Sequence, residues 1–262
     1  MFRYREKTAL ITGASSGIGE SFARALAARG MNLILVARSE ERLHTLADEL
    51  SRQYGIKAHV IATDLSQPDA AKCVKATVEE RALAVHLLVN NAGFAVYDHF
   101  ERIDPERDHQ QMMVNVSAVV DMAHAFLPDM VARGEGAVIN VSSRGAFQPG
   151  AYFAVYAASK AFVLSFSEAL WAEFRKRGID VLALCPGPVD TNFFNVVGRE
   201  RRGLETKASP ESIVAVALKA LEQRKSVVIP GWRIWLSSQT MSRLLPRAFV
   251  ALTLERLTRP ER

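Results

Sequence analysis

Short apolar runs and longer helical stretches alternate along this chain, and no other feature limits its fold as strongly. Parallel strands need crossover connections of a dozen or more residues, and the stretches between the runs have that length. Residues 33–36 (Leu-Ile-Leu-Val) are apolar at every position, which is typical of a strand buried on both faces. The pattern predicts an α/β fold in which helices cover both faces of a parallel sheet. We expect seven strands, at residues 8–12, 32–37, 58–62, 86–90, 136–141, 180–184 and 226–229.

The composition suits one large domain with a sizeable hydrophobic core. The chain has 262 residues, of which 49% are hydrophobic, and this excludes a disordered or collagen-like protein. Cys73 and Cys185 are too few for a disulfide framework and too far apart for a metal motif, so we expect reduced thiols in a cytoplasmic protein. The histidines form no close cluster, and no metal site is expected. No run reaches the ~18 apolar residues of a membrane span, and the charged N-terminus does not fit a signal peptide.

The positive charge is concentrated near the C-terminus. Residues 224–262 hold eight basic and two acidic residues, whereas the rest of the chain is close to neutral. This distribution argues against a nucleic-acid-binding protein, which needs basic residues over a docking face. We therefore divide the chain into a domain at 1–230 and a basic amphipathic extension at 231–262, which Pro246 is expected to split into two short helices. The extension fits peripheral contact with a membrane, packing against a partner subunit, or a cover over a substrate pocket.

A glycine-rich turn follows the first predicted strand. The segment 12–19 (Thr-Gly-Ala-Ser-Ser-Gly-Ile-Gly) joins the strand to a helix predicted at 17–28, a geometry that aims backbone N–H groups at a pyrophosphate. Gly13 permits the tight turn, Gly17 permits close approach of a ligand, and Gly19 permits close packing of the helix. The alternative is a tight turn that binds no ligand.

The end of the second strand indicates which dinucleotide would bind. NAD-binding folds normally place an acidic residue there, to hold a ribose hydroxyl, but this chain has Arg38 followed by Ser39. The guanidinium of Arg38 offers a fork to a 2′-phosphate, and Ser15, Ser39 and Arg42 could add hydrogen bonds or charge. The pattern favours NADP(H) over NAD(H), unless Arg38 is simply a solvated side chain.

A tyrosine and a lysine stand four residues apart in a predicted helix, with a serine upstream. Tyr156 and Lys160 therefore share a helix face, where the ammonium group is expected to lower the pKa of the phenol. Tyr152 is the competing tyrosine, but the residue four positions after it carries no charge. Ser143 precedes Tyr156 by thirteen residues. Taken alone, such a Tyr–Lys pair is more often an ordinary surface pair.

Taken together, these motifs resemble the short-chain dehydrogenase/reductase family over about residues 7–230. The resemblance rests on their order and spacing as well as on their identity, and it implies a Rossmann-type doubly wound sheet with strand order 3-2-1-4-5-6-7. The segments that carry it are 12–19, 90–93 (Asn-Asn-Ala-Gly), Asn115, Ser143, Tyr156, Lys160 and Pro186-Gly187.

The resemblance also implies a role for each matching residue. Tyr156 would be the general acid in carbonyl reduction and the base in alcohol oxidation, while Ser143 would hold the substrate oxygen. Lys160 would bind the nicotinamide ribose and lower the pKa of Tyr156, and Asn115 would anchor a water molecule of the proton relay. The residues expected to contact the cofactor are Gly13, Ser15, Ser16, Gly17, Ile18, Gly19, Arg38, Ser39, Arg42, Asp64, Leu65, Asn91, Ala92, Gly93, Tyr156, Lys160, Pro186, Gly187, Val189 and Thr191.

Apolar and aromatic residues follow several strand ends and point to a hydrophobic carbonyl or alcohol substrate, although they could equally pack the lid. A 3-oxoacyl carrier-protein or thioester reductase is an alternative, with Arg199, Arg201 and Arg202 available to bind phosphate. A regulatory or membrane-docking module is less consistent with the residues, because it needs no activated tyrosine. The family also implies a homodimer or homotetramer. The apolar residues are Phe94, Val96, Tyr97, Phe147, Pro149, Tyr152, Phe153 and 193–197.

Overall fold

The structure is a computed structural model, and it describes residues 2–191, 207–232, 234–236, 238 and 245–260. Its seven strands form one parallel sheet with the order β3-β2-β1-β4-β5-β6-β7, which confirms the predicted architecture. The strands are β1 (Thr8–Thr12), β2 (Asn32–Ala37), β3 (Ala58–Ala62), β4 (Leu87–Asn90), β5 (Gly136–Val141), β6 (Ile179–Leu184) and β7 (Val227–Val228).

Helices connect the strands and cover both faces of the sheet. A π-helical turn at Met113–Ser117 joins the fourth helix to the fifth. The helices are α1 (Gly17–Ala27), α2 (Glu40–Tyr54), α3 (Ala70–Glu80), α4 (Pro105–Met112), α5 (Ala118–Arg133), α6 (Ala154–Phe174), α7 (Pro210–Glu222) and α8 (Arg247–Thr258).

The alternation of side chains along the strands divides the core into two layers. On β2, Leu33 and Leu35 pack with residues of α1, α2 and α7, whereas Ile34 packs on the other face with residues of α3 and α5. Phe22 of α1 and Phe126 of α5 are the largest fully buried side chains of the two layers. Because both faces of the central strands are covered, uniformly apolar runs are what these strands require.

The element boundaries differ from the expected ones by one or two residues. β4 begins at Leu87 instead of His86, β6 begins at Ile179, and β7 spans only Val227–Val228. Ser39 occupies the N-cap of α2, but its side chain makes no capping hydrogen bond, so acidic residues in the first turn remain to favour the helix start. α8 begins directly after Pro246. A proline there separates α8 from the preceding residues, because proline cannot continue a helix.

The strand order creates a crevice at the carboxyl ends of the central strands. β1 and β4 are neighbours, but the chain leaves β1 towards β2 and leaves β4 towards β5. The connections that follow β1 and β4 therefore run in opposite directions. Ligands of open α/β sheets bind in the crevice between two such connections. Among the described helices, none is both long enough and apolar enough to cross a membrane.

Candidate active site

The glycine turn after β1 is packed too closely to accept side chains. A Cβ atom on Gly19 would lie 2.2 Å from the carbonyl oxygen of Gly13. Gly13 itself has a left-handed φ of +66°, and a Cβ there would lie 2.9 Å from the Cα of Ala92. The expected roles of Gly13 in the turn and of Gly19 in close packing therefore fit the geometry.

Thr12 and Asn91 join this turn to the end of β4. The Thr12 Oγ1 accepts hydrogen bonds from the backbone N–H groups of Asn91 and Ala92, both at 3.0 Å. In return, the Asn91 Nδ2 donates to the carbonyl oxygens of Thr12 at 2.9 Å and of Gly13 at 3.2 Å. The Asn91 amide is thus committed to holding the turn. Our sequence analysis assigned no role to Thr12, because a threonine at a strand end gives no sign of partners 79 or 80 positions away.

The N-terminus of α1 presents its backbone donors without a side-chain cap. Ser16 is the N-cap residue and makes no side-chain capping bond, so the first-turn N–H groups are available for an anion. Gly17 lies beside Thr191, whose Cγ2 would be 3.1 Å from a Cβ atom added to the glycine. A cleft of about 430 Å³ opens here, and Lys207 is among its lining residues.

The predicted phosphate-recognition residues lie together at the carboxyl end of β2. Arg38, Ser39 and Arg42 are all exposed there, and the Ser39 hydroxyl is not used by the helix that it caps. Asp64 follows β3, where its Oδ1 accepts hydrogen bonds from the N–H and hydroxyl groups of Ser66. The carboxylate of Asp64 therefore organises its own turn, while Leu65 beside it is buried.

Tyr156 and Ser143 meet at the carboxyl end of β5. Burial raises the pKa of the Tyr156 phenol, and a side-chain hydrogen bond with Ser143 opposes that rise. The Ser143 Oγ also accepts a hydrogen bond of 3.0 Å from the Gly145 N–H, which fixes the position of the hydroxyl. The net direction is opposite to the lowering that we expected from Lys160, because burial has the larger effect.

Lys160 is a buried cation one helical turn from Tyr156. Its Nζ lies 5.8 Å from the centre of the Tyr156 ring and donates to the Val141 carbonyl oxygen at 2.9 Å. Burial lowers the pKa of Lys160 to about 8. A Cβ atom on Gly93 would lie 3.3 Å from this Nζ, so the glycine lets the β4 loop pass close to the ammonium group.

Asn115 lies in the π-helical turn and ties the β4 loop to α6. The Asn115 Oδ1 accepts from the Phe94 N–H at 3.1 Å, and its Nδ2 donates to the Phe94 carbonyl oxygen at 2.9 Å. The same Nδ2 lies 3.2 Å from the Ser159 Oγ, which donates to the Tyr156 carbonyl oxygen at 2.7 Å. Asn115 thus links the loop after β4, through Ser159, to the backbone of Tyr156. Ser159 is a second residue whose part the sequence did not reveal.

Three polar residues near the site have structural roles. Ser142 donates to the Lys160 carbonyl oxygen at 2.7 Å, so its hydroxyl serves the helix backbone rather than the tyrosine. Asn90 donates to Asn140 at 2.9 Å, and Asn140 donates to Ser167 at 2.9 Å. This network is buried and leaves Ser143 as the hydroxyl that meets Tyr156.

Pro186-Gly187, which follows β6, lies beside Arg144, the residue after Ser143. The Pro186 carbonyl oxygen accepts from the Arg144 N–H at 2.8 Å. A Cβ on Gly187 would lie 2.4 Å from the Cδ1 of Ile234, so the C-terminal extension packs directly on this loop. Val189 is buried and pairs with Ala208 in an isolated bridge.

An aromatic cluster borders Tyr156 on the substrate side. The Phe153 ring lies 6.3 Å from the Tyr156 ring and 4.6 Å from the Tyr97 ring, measured between centres. Tyr152 packs edge-on against Tyr97 at 6.4 Å. These loops come from the ends of β4 and β5. The segment 193–197, predicted to border the substrate, and Arg199, Arg201 and Arg202 lie outside the described residues.

The fold and this constellation define an α/β oxidoreductase with a serine, a tyrosine and a lysine gathered at the switch point of a doubly wound sheet. Residues 7–202 match the family model described as short chain dehydrogenase. The chain therefore belongs to the short-chain dehydrogenase family.

Relatives and solved structures agree with this assignment. The very-long-chain 3-oxoacyl-CoA reductase of Bos taurus is 33% identical over 217 residues, which cover 81% of this chain and 68% of that protein. A short-chain dehydrogenase from Sphingobium yanoikuyae, solved in complex with NADPH, is 32% identical with a TM-score of 0.81 over 92% of this chain and 97% of its own. A solved 7beta-hydroxysteroid dehydrogenase is 29% identical with a TM-score of 0.86, and the match covers 95% and 96% of the two chains.

Proposed function

We propose that the protein transfers a hydride between NADP(H) and the carbonyl or alcohol group of a hydrophobic small molecule. The observation that carries this proposal is the meeting of Ser143, Tyr156 and Lys160 beside the glycine turn. A binding module has no use for a phenol held next to a hydroxyl and a buried cation. In the reduction, a hydride adds to the carbonyl carbon and a proton adds to the oxygen, so that the product is an alcohol.

Tyr156 supplies the proton. The phenol holds its proton near neutral pH, so it is in the protonated form that a donor needs before the reduction. Ser143 is positioned to donate a hydrogen bond to the same substrate oxygen and so to hold the carbonyl beside the phenol. Lys160 stabilises the negative charge that remains on Tyr156 after the transfer, since a cation favours the ionised form of a neighbouring acid.

The residues present fit a dinucleotide with a 2′-phosphate. The uncapped start of α1 suits the pyrophosphate, and the crowded Gly13 and Gly19 leave that approach clear of side chains. Arg38 and Arg42 provide positive charge at the end of β2, and Arg38-Ser39 stands where NAD-binding folds place an acidic residue. When bound, the nicotinamide ring supplies or takes up the hydride. The NADPH of the Sphingobium yanoikuyae complex supports the same choice.

The aromatic cluster of Tyr97, Tyr152 and Phe153 supports a hydrophobic substrate. Two substrate classes deserve priority, because relatives with these names are similar to the chain: hydroxysteroids and 3-oxoacyl thioesters. We propose residues 1–230 as the catalytic domain and residues 231–262 as an extension that borders the substrate side.

The first test follows oxidation of NADPH and NADH by absorbance over aldehydes, aromatic ketones, ketosteroids and 3-oxoacyl thioesters. Tyr156→Phe should lower kcat by roughly 10²–10⁴-fold, the usual contribution of a positioned acid. Tyr152→Phe is the matched control and should retain most activity. Equal turnover by wild type and Tyr156→Phe would refute the catalytic role of Tyr156. If the wild type bound NADPH tightly but turned over none of these substrates, the result would favour a non-catalytic module.

A second test addresses the cofactor. Arg38→Leu removes a charged hydrogen-bond donor worth about 1.5–3 kcal/mol, so kcat/KM with NADPH should fall roughly 10- to 100-fold while the value with NADH changes little. Arg52→Leu, in the last turn of α2 and far from the end of β2, should leave both values unchanged. A wild-type preference for NADH would refute the role of Arg38 and leave that of Tyr156 intact.

We further propose a homodimer or homotetramer in the cytoplasm. Phe162 on α6 is 41% exposed and stacks on Phe166 at 5.8 Å, so α6 offers an apolar outer surface to a second copy. Cys73 and Cys185 are both free thiols, which suits a reducing compartment. Light scattering of wild type and Phe162→Ser would test the assembly, since the variant should have the lower mass.

A further inference from the structure

The exposed apolar side chains of the described residues are concentrated near the C-terminus. Seven of the twelve large apolar side chains that are exposed lie between Trp232 and Leu257, although this stretch is a small part of the chain. Isolated exposed apolar residues are normal on a soluble protein, but a concentration of them marks an interaction surface. The seven residues are Trp232, Trp235, Leu236, Leu245, Phe249, Leu252 and Leu257.

α8 is fixed to the body of the protein by its inner face. Val250 on that face is only 2% exposed. Near the end of the helix, the Tyr97 hydroxyl donates to the Thr258 carbonyl oxygen at 2.8 Å, and the Thr258 hydroxyl donates to the Ala151 carbonyl oxygen at 3.3 Å. The Tyr152 hydroxyl donates to Glu255 at 2.5 Å. These contacts hold the helix in one orientation, so the residues on its opposite side are presented outward.

We call that opposite side the outer face of α8 and define it by Phe249, Leu252 and Arg256. Their separations of three and four residues place them on one helical stripe. Phe249 is 56% exposed and Leu252 is 61% exposed. Leu245, just before the helix, adds apolar surface that is 38% exposed.

The charge of this region is strongly positive. Residues 224–262 carry eight basic and two acidic residues. One of the two acidic residues, Glu255, is already paired with Arg259 and bonded to Tyr152. Arg256 is exposed on the same helical stripe as Phe249 and Leu252, and Arg247 is exposed at the start of α8. An exposed apolar stripe that carries an arginine, in a strongly basic segment, has the composition of a helix that lies in the interface of a membrane.

We propose that the outer face of α8 binds the surface of a membrane that contains anionic lipids. In this arrangement Phe249 and Leu252 enter the boundary between headgroups and acyl chains, Arg256 contacts lipid phosphates, and Arg247 adds positive charge at the start of the helix. A second copy of the chain is a less suitable occupant. A two-fold contact through this face would bring arginines of one copy close to those of the other, and like charges oppose each other across an interface.

Vesicle flotation with the full-length protein tests the proposal. Wild type should float with vesicles of phosphatidylcholine and phosphatidylglycerol, and should float weakly with phosphatidylcholine alone. Phe249→Ser/Leu252→Ser should lower the partition coefficient at least about 10-fold. Arg247→Glu/Arg256→Glu should lower it for the anionic vesicles by about fivefold or more for each arginine removed, and high salt should do the same.

The control is Phe100→Ser, which removes a phenylalanine that is 67% exposed and lies outside α8. This variant should float like wild type. Thermal unfolding of every variant shows whether it is folded, and this readout does not depend on any enzymatic activity. The flotation result can therefore be interpreted even if the protein lacks the proposed enzymatic activity.

Two results would overturn the proposal. The first is wild-type protein that stays with the soluble fraction in the presence of anionic vesicles. The second is a Phe249→Ser/Leu252→Ser variant whose assembly has a lower molecular mass than that of the wild type but which floats equally well. That result would make the outer face of α8 an interface between copies of the chain.

Discussion

Replacing Lys160 by methionine should make the folded protein more stable at neutral pH while removing its activity. Lys160 is only 5% exposed, and its charged form is disfavoured by burial, which lowers its pKa from 10.5 to about 8. Methionine has a similar length and suits a buried environment. The substitution therefore removes an unfavourable buried charge and leaves little empty space.

The size of the effect follows from the two pKa values. At 1.36 kcal/mol for each pKa unit, the difference between 10.5 and about 8 destabilises the wild type by about 3 kcal/mol at neutral pH. The substitution also removes the hydrogen bond from Nζ to the Val141 carbonyl oxygen, which costs about 1–2 kcal/mol. The variant should therefore be about 1–2 kcal/mol more stable, and its Tm should rise by about 2–8 °C.

The advantage should depend on pH in a defined direction. Between about pH 8 and pH 10.5 the unfolded chain holds a proton on Lys160 that the folded protein has lost. The free energy of unfolding of the wild type therefore rises with pH across this window, relative to that of the variant. Below about pH 8 the penalty is fully present, whereas near pH 10 only about 0.8 kcal/mol of it remains, so the lost hydrogen bond should make the variant equal to or less stable than the wild type, by about 0–1 kcal/mol.

Urea unfolding near pH 7 and near pH 10 measures both differences. Lys176→Met, which replaces an exposed lysine just after α6, is the control and should change stability by less than about 0.5 kcal/mol at either pH. If Lys160→Met were destabilised equally at the two pH values, the lysine would not be a strained buried cation, and the reasoning from its pKa would be wrong.

Two further substitutions test the packing of the site and its cover. Gly19→Ala places a methyl group 2.2 Å from a backbone oxygen of the turn and should destabilise the fold by about 3 kcal/mol or more, whereas Gly55→Ala, with φ of +67° but open space around it, should cost only about 1–2 kcal/mol in urea unfolding. Equal losses of stability in Gly19→Ala and Gly55→Ala would show that the close contact at Gly19 has no effect of its own. Tyr97→Phe removes the 2.8 Å bond to the Thr258 carbonyl oxygen and should speed hydrogen exchange in α8 with a change in global stability of about 0.5–1.5 kcal/mol. Tyr54→Phe, on α2, is the control and should leave hydrogen exchange in α8 unchanged. If hydrogen exchange in α8 were equally fast in Tyr97→Phe and in the wild type, the Tyr97 hydroxyl would not be what holds α8.

Much of the fold was predictable because local patterns determine where strands and helices form. The seven strands appear as apolar runs, and their boundaries were correct to within two residues. Their order came from resemblance to a family rather than from periodicity, since no local pattern states which strands become neighbours. The end of β7 was less predictable, because Ile229 is as apolar as Val227 and Val228, but only Val227 and Val228 pair with β6 at this edge.

The candidate site divides in the same way. The spacing of Tyr156 and Lys160 along one helix is a local property and was visible in the sequence. The hydroxyl of Thr12 and the carbonyl oxygen of Val141 take part through contacts between distant segments, so nothing near them in the chain marks them. The expected lowering of the Tyr156 pKa was also wrong, because its pKa depends on how deeply the folded chain buries the phenol.

The sequence by itself determined the class of fold, the glycine turn and the residue types available for catalysis, since each of these depends on neighbours in the chain. Only the tertiary structure decided which polar groups hold the site together and which way burial moves the pKa of Tyr156 and of Lys160. It also decided that α8 turns Val250 inward and Phe249 outward. An apolar residue carries the same hydrophobicity on either face of a helix, and only the surface against which the helix packs distinguishes core from contact surface.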